Sequence, residues 1–278
     1  MTAATVALGA APTRERGGVT FGRVLASEWI KFRSVRATLW TLPLTLVAMV
    51  GVAVLSAWGM STLESHEDFT AADAVTAGTQ FGQLVVVVLA ILTITGEYGT
   101  GQIRSSLTAV PRRTPVLAAK ALVLAASVAA VTVLSIALSW VAALPFLGRM
   151  DMTLDLGSGQ TLRQLLGCVL YLSTIALFAL AVGALMRHTA GALAVVLGLL
   201  LVIENVVAAL PVRFFEVVGP YLPASAGSRI LSDDATLRAI DMTRDGTHLA
   251  AWQGYGVLAL WVAVLGTAAV VLLRRRDA

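Results

Sequence analysis

The sequence contains few charged residues and almost no cysteine. Asp, Glu, Lys and Arg make up only 13% of its 278 residues, whereas soluble globular proteins carry about 25%. Such a chain could not cover a compact, water-facing surface with polar groups. Its single cysteine, Cys168, excludes an intramolecular disulfide framework and any CxxC metal or redox motif. With 58% hydrophobic residues and a mean hydropathy of +0.84, the composition predicts an integral membrane protein.

Motifs that usually mark a catalytic or nucleotide-binding site are also missing. The chain has no GxxxxGK(S/T) phosphate loop and no GxSxG nucleophile turn. A zinc-protease pattern begins at His66, but Thr70 stands where the second histidine ligand is needed, and His188 and His248 lie in other predicted loops. We therefore expect no catalytic site, metal ion or cofactor on this chain, and no nucleic-acid partner. Any energy source must be another chain or a gradient.

Long stretches without an ionised residue mark the membrane spans. A spanning helix needs about 20 apolar residues, because a rise of about 1.5 Å per residue must cross a core of roughly 30 Å. Five such stretches are long enough, and a further one is short or interrupted because it contains Glu204. The pattern predicts an all-α integral membrane fold, in which residues 37–278 form one domain with spans near 38–59, 77–95, 118–143, 164–186, 189–210 and 252–273.

The distribution of basic residues predicts the orientation of these spans, because cytoplasmic loops carry an excess of Lys and Arg. With the N-terminus inside, 14 of the 20 basic residues fall in cytoplasmic segments, and 11 of the 16 acidic residues fall in external ones. Both termini are therefore expected in the cytoplasm of a bacterium, with the protein in its plasma membrane. Residues 1–18 lack the order of a signal peptide, and we expect a disordered cytoplasmic tail there.

Residues 19–36 have the period of an amphipathic helix. Trp29 and Phe32 fall on its apolar face, whereas Lys31 lies outside that face. A basic helix with aromatic residues, just before a span, is expected to lie in the inner membrane interface and contact lipid. Glu28 breaks the pattern because it falls within the apolar face. It either reaches water or pairs with Lys31, or else it docks onto a cytoplasmic partner or a loop of its own bundle.

The predicted cytoplasmic loop at residues 96–120 is more elaborate than a helical hairpin requires. After several glycines, among them Gly101, it has a short stretch with helical spacing at Ile103 and Leu107, which Pro111 ends. Arginines surround this stretch, at Arg104, Arg112 and Arg113. The loop is either a positively charged anchor for the membrane or a docking helix for a soluble subunit.

The external segment at 211–251 is long for a connection, and its first part is apolar and rich in proline. It predicts short helices that re-enter the outer leaflet, where surrounding protein or a water-filled cavity must satisfy the backbone.

Glu204 and Asn205 form the one strongly polar pair within a predicted span. An ionised carboxylate is costly inside a membrane, so Glu204 is a candidate functional residue. Three hypotheses remain open for it. It lies at a helix end near external water, it takes part in substrate passage or gating, or it belongs to an internal ion pair.

Three segments together resemble the membrane subunits of ABC transporters of the type-2 exporter class. SEWIKFRSVRATLW resembles the connecting helix of that family, and GEYGTGQIRSSLTAVPRRTP resembles its coupling-helix loop. YLPASAG resembles the segment with proline and small residues that precedes the final external loop. The likeness covers nearly the whole chain, and its middle motif is the most specific.

This resemblance implies a permease subunit of an ATP-driven exporter. Two such subunits, identical or different, would form the substrate pathway and assemble with two cytoplasmic ATPase subunits that bind ATP and Mg²⁺. The coupling residues would be Glu97 at the foot of the second span, followed by Gly101, Ile103, Arg104, Leu107, Arg112 and Arg113. The alternative is an ATP-independent membrane protein, such as a gradient-driven transporter or a sensor or assembly subunit.

Overall fold

The computed structural model describes residues 20–63, 69–99, 113–242 and 247–275. Within these ranges every regular element is a helix and there is no strand. Six helical segments are long and apolar enough to cross a membrane. The predicted all-α membrane fold with six spans is therefore confirmed. The predicted tail at 1–18 and the predicted coupling helix lie outside the described residues.

The first half of the bundle consists of a separate helix, α1, followed by three candidate spans. Val35 adopts an extended backbone and separates α1 from α2, so the predicted helix at 19–36 ends before the first span begins. A two-residue turn separates the short α3 from α4. The bounds are α1 Phe21–Ser34, α2 Arg36–Met60, α3 Ala71–Thr76, α4 Thr79–Gly99 and α5 Arg113–Leu147, with a 3₁₀ turn at Gly148–Met150.

The second half contains two long spans, with an irregular span and a group of short helices between them. The fifth span changes from α-helix to a π-helical segment at Gly198–Ile203 and then returns to α-helix. The α-helices are α6 Gly159–Met186, α7 Thr189–Leu197, α8 Glu204–Ala209, α9 Arg213–Val218, α10 Pro223–Ser228, α11 Asp234–Met242 and α12 Ala251–Arg275. Short 3₁₀ turns at Gly219–Tyr221 and Arg229–Leu231 flank α10.

The third span is much longer than the predicted 118–143, because α5 runs for 35 residues. Pro115 does not prevent an early start, since the first N–H groups of a helix have no partner within that helix. Pro145 lies in the last turn, where the helix is about to end. Charge spacing therefore located the span, but the helix extends beyond the predicted range at both ends.

Helix α6 forms the centre of the bundle and packs against α4, α5, α7 and α12. Its Tyr171 is fully buried and donates a hydrogen bond from its hydroxyl to Gln83 of α4. Cys168 lies 3.1 Å from the hydroxyl of Thr79, also on α4. These internal contacts keep α4 and α6 in register within an otherwise apolar core.

Glycines allow two close approaches between backbones. A Cβ atom at Gly78 would lie 2.3 Å from the carbonyl oxygen of Met49, so α2 can pack onto the α3–α4 turn only because the side chain is absent. At Gly254 a Cβ atom would lie 2.3 Å from the carbonyl oxygen of Ala226. This second contact seats α10 directly on the last span.

Candidate functional site

Two carboxylates and two lysines meet at one end of the bundle. We call Glu28, Lys31, Glu97 and Lys120 the charge cluster. The Nζ atom of Lys120 lies 2.7 Å from Oε2 of Glu28 and 2.8 Å from Oε1 of Glu97. The Nζ atom of Lys31 lies 2.7 Å from Oε1 of Glu28 and 3.6 Å from Oε1 of Glu97. The cluster therefore joins α1, α4 and α5 through their charges.

Three members of the charge cluster are almost completely buried. The exposed fraction is 3% for Glu28, 7% for Glu97 and 4% for Lys120, whereas the Lys31 side chain is 22% exposed. Buried charges are tolerated when they are paired, and here two positive charges balance two negative ones. The pairing is incomplete, because Oε2 of Glu97 has no hydrogen-bond partner within the described part of the chain. Oε2 of Glu28 is within ion-pair distance of Lys120 but lacks hydrogen-bond geometry.

The helical period of α1 explains why Glu28 faces inward. The buried residues of this helix are Val24, Glu28 and Phe32, which follow one another at intervals of four and so share a face. Glu28 therefore pairs with Lys31 on its own helix and also docks onto Lys120 of its own bundle. The expectation that Glu28 reaches water is wrong, because the Lys120 ammonium satisfies its charge inside the protein.

A cavity of about 210 Å³ adjoins the charge cluster. All four cluster residues line it, together with apolar residues such as Phe32 and Val123. Charged groups at its wall make this cavity more polar than the surrounding core.

The predicted coupling residues are divided between described and undescribed parts of the chain. Glu97 is the member that the structure describes fully, and it faces Lys120. Arg113 begins α5, although its side chain lies outside the described atoms. The remaining members lie outside the described residues: Gly101, Ile103, Arg104, Leu107 and Arg112. The charge cluster thus lies where α4 and α5 meet the loop that carries these residues.

Aromatic and basic groups line the exposed side of α1. Trp29 stacks against Phe32 with 6.3 Å between the ring centroids, and the Arg33 guanidinium lies 5.9 Å from the centre of the Trp29 ring. Trp29 and Arg33 are exposed, while Phe32 is buried. This arrangement suits a helix that lies at a membrane interface.

Glu204 is bound by α10, one of the short helices that follow its span. Its carboxylate accepts hydrogen bonds from the backbone N–H groups of Ala224 and Ser225, at 2.9 and 2.5 Å, and from the Ser225 hydroxyl at 2.6 Å. Glu204 lies inside the continuous helical run Thr189–Ala209, where the π-helical segment returns to α-helix, so no helix end occurs at this residue. The expectation that it lies near water is wrong, because it is 5% exposed.

The ion-pair hypothesis for Glu204 is also wrong, since the partners just named carry no charge. Asn205, by contrast, is exposed and donates to the carbonyl oxygen of Leu201. The two neighbouring residues therefore have different environments, and Glu204 ties the fifth span to α10.

A group of polar contacts at the opposite end of the bundle was not predicted from the sequence. Arg229 donates to the carbonyl oxygen of Leu249 and to Asp241, which His248 also approaches at 3.2 Å. Partial burial raises the pKa of Asp241, but hydrogen bonds from Arg229 and His248 and their charges outweigh it, so the pKa lies below its usual range. A second pair joins Arg163 of α6 to Asp234 of α11 at 2.7 Å.

These features define a polytopic α-helical membrane protein with its charges concentrated at the helix ends. No group of three or more potential metal ligands occurs among the described residues. The family model for ABC-2 family transporter proteins matches residues 24–205, which is more than half of the chain. The chain therefore belongs to the ABC-2 family and is a membrane permease subunit of an ABC transporter. Comparison with curated proteins finds no significant match.

Proposed function

We propose that this chain is the transmembrane subunit of an ATP-driven exporter and works as a dimer with separate cytoplasmic ATPase subunits. ATP and Mg²⁺ would bind to those partners, in keeping with the absence of a phosphate loop from this sequence. The proposed orientation places both termini in the cytoplasm of a bacterial cell. Membership of the ABC-2 family supports the permease role. The resemblance of the 96–115 segment to a coupling-helix loop supports coupling to separate ATPase subunits.

The observation that carries this proposal is the charge cluster. Helix α4 ends at Gly99 and α5 begins at Arg113, so the loop between them is attached to the two helices that Glu97 and Lys120 hold together. Glu28 extends the same network to α1. Movement of an ATPase bound to this loop would therefore act on three helices at once.

In the proposed mechanism the charge cluster positions the helices and does no chemistry. ATP binding would draw the two ATPase subunits together and move the loop. Because Glu97 and Lys120 are buried and paired, separating them would be costly, so α4 and α5 would move as one body with α1. The partial exposure of Lys31 leaves one cation able to exchange partners during that movement.

The first experiment isolates the tagged chain from its native membranes in a mild detergent and identifies co-purifying proteins by mass spectrometry. We expect a stoichiometric soluble protein that contains a GxxxxGK(S/T) loop. Recovery of the chain alone, under conditions that preserve a known transporter complex, would overturn the proposal. It would favour the ATP-independent alternative.

A second experiment tests coupling with Glu97→Ala and Arg104→Glu. Matched controls are Glu216→Ala and Arg213→Glu, on α9 away from the charge cluster. We expect Arg104→Glu to reduce co-purification of the ATPase roughly tenfold or more, because it reverses a charge at an interface. Glu97→Ala should insert and bind the ATPase but fail to support coupled ATP hydrolysis in proteoliposomes. Normal coupling of ATP hydrolysis to transport in both variants would show that neither the loop nor the charge cluster takes part in coupling.

A further inference from the structure

An apolar groove opens between α1, α2 and α5, on the far side of Phe32 and Thr38 from the charge cluster. The volume of this groove is about 510 Å³. Phe32 and Thr38 line both the groove and the cavity beside the charge cluster. The walls of the groove include Leu42 and Pro43 of α2 and Leu134 of α5. We call this space the α1–α2–α5 groove.

The sequence explains why the helices do not close this groove. The extended backbone at Val35 turns α1 away from the axis of α2, so the two helices diverge. Pro43 has no backbone N–H and its ring crowds the carbonyl of Leu39, four residues earlier, which disturbs the α2 backbone beside the groove. Ala130 contributes only a methyl group from α5. The space is therefore built into the local geometry of α1, α2 and α5.

The groove is lined at its rim by an arginine that forms no ion pair with the described residues. Arg33 lies on the rim, next to the Trp29 ring, and Arg36, the first residue of α2, is exposed. Glu28 is the one acidic residue in the described stretch 20–63, and it is buried against Lys31 and Lys120. No carboxylate in that stretch is left to pair with Arg33. A phosphate group complements a guanidinium at such a site.

We propose that the α1–α2–α5 groove binds one anionic glycerophospholipid as a resident lipid. An acyl chain occupies the apolar walls, and the headgroup phosphate contacts the Arg33 guanidinium. Trp29 lies at the level between headgroup and chain, which is where its amphipathic ring is stable. The proposal concerns a structural lipid and is independent of ATPase coupling and of the transported substrate.

Native mass spectrometry of the intact chain in detergent tests this site. The probes are phosphatidylglycerol and phosphatidylcholine with identical acyl chains, added in competition. We expect the wild type to retain one phosphatidylglycerol in preference to phosphatidylcholine. Arg33→Gln should lower that preference roughly fivefold, which corresponds to about 1 kcal/mol for one arginine near an anionic lipid. Arg33→Lys should keep part of it, because the charge remains.

Two further variants make the result specific. Ala130→Phe fills the groove and should reduce retention of both lipids, whereas Arg149→Gln removes an exposed arginine from the opposite end of α5 and should change nothing. Equal binding of the two lipids to wild type, or an equal loss in Arg149→Gln and Arg33→Gln, would overturn the proposal. So would dissociation of a dimer by Ala130→Phe without any loss of lipid, because a second copy of the chain would then cover the groove.

Discussion

At the scale of single residues, the Lys120 ammonium lies within 2.8 Å of two carboxylates that belong to different helices. Replacing it in Lys120→Met leaves Glu28 and Glu97 buried without their shared cation. We expect the free energy of unfolding to fall by about 3–5 kcal/mol, because one partner of a buried ion pair has been removed. Denaturant titration in mild detergent, followed by tryptophan fluorescence, measures this loss.

The matched control is Lys31→Met. Lys31 contacts the same two carboxylates, but its side chain is 22% exposed, so water replaces part of what is lost. Lys31→Met should therefore lower the free energy of unfolding clearly less than Lys120→Met does. Adding Glu97→Gln to Lys120→Met should recover part of the stability, since it removes one unpaired charge. Equal losses at the two lysines would show that burial does not decide their contributions.

These residues also show what the sequence could predict at this scale. Glu28 was conspicuous because it interrupted an apolar helical face, and its i,i+3 pairing with Lys31 followed from helix geometry. Lys120 lies far along the chain, and no local pattern identifies it as the second partner. Glu204 was conspicuous as a carboxylate within a span, but its environment depended on backbone N–H groups of α10 that a sequence does not place.

At the scale of elements, the seating of α10 on α12 depends on Gly254. In Gly254→Ala the new Cβ would lie 2.3 Å from the carbonyl oxygen of Ala226, so the two helices must separate. We expect a loss of about 1–3 kcal/mol from this overpacking. Gly256→Ala provides the control on the same helix, because nothing lies within 4 Å of its Cβ position.

The control should change stability in the opposite direction. Alanine is the better helix former by up to about 1 kcal/mol, so Gly256→Ala should be neutral or stabilising. Thermal unfolding of both variants in the same detergent makes the comparison. Destabilisation by Gly256→Ala as large as that by Gly254→Ala would rule out the contact with Ala226 as the cause.

The stabilising contacts of Asp241, on α11, should weaken at acid pH. Above the unfolded-state pKa, about 3.9, Asp241 is ionised in both states and its ion pair with Arg229 contributes fully. As the pH falls through its lowered folded-state pKa, the folded carboxyl becomes protonated and this contribution is lost. The melting temperature of wild type should therefore converge on that of Asp241→Asn at acid pH. A constant difference down to pH of about 2 would contradict this.

The elements themselves were predicted unevenly, for physical reasons. Gaps between charges locate spans because hydrocarbon excludes ions, and each of the six predicted spans corresponds to a long apolar segment. The same gaps do not show that α5 continues to Leu147 or that the fifth span contains a π-helical segment. A gap between charges gives the minimum length of an apolar segment and carries no information on where its helix ends or on its internal hydrogen-bond pattern.

At the scale of the whole molecule, the contacts establish which helix ends lie together. Arg274, near the end of α12, donates to the hydroxyl of Thr114 at the start of α5, at 2.9 Å. The charge cluster brings α1 and the end of α4 to the same end of the bundle. The connection between α5 and α6 lies at the opposite end, because α5 spans the molecule. One measurement on each end therefore fixes the orientation of the entire chain.

The single cysteine makes this measurement direct, since Cys168→Ala yields a chain without thiols. Into it we would introduce Ser34→Cys at the end of α1 or Thr153→Cys between α5 and α6, both at exposed positions. The excess of Lys and Arg near α1 predicts that it faces the cytoplasm. A membrane-impermeant maleimide should then label Thr153→Cys in intact cells but Ser34→Cys only after permeabilisation. The reverse pattern would place the charge cluster and the 100–112 loop outside the cell, where no ATP-hydrolysing partner could drive them.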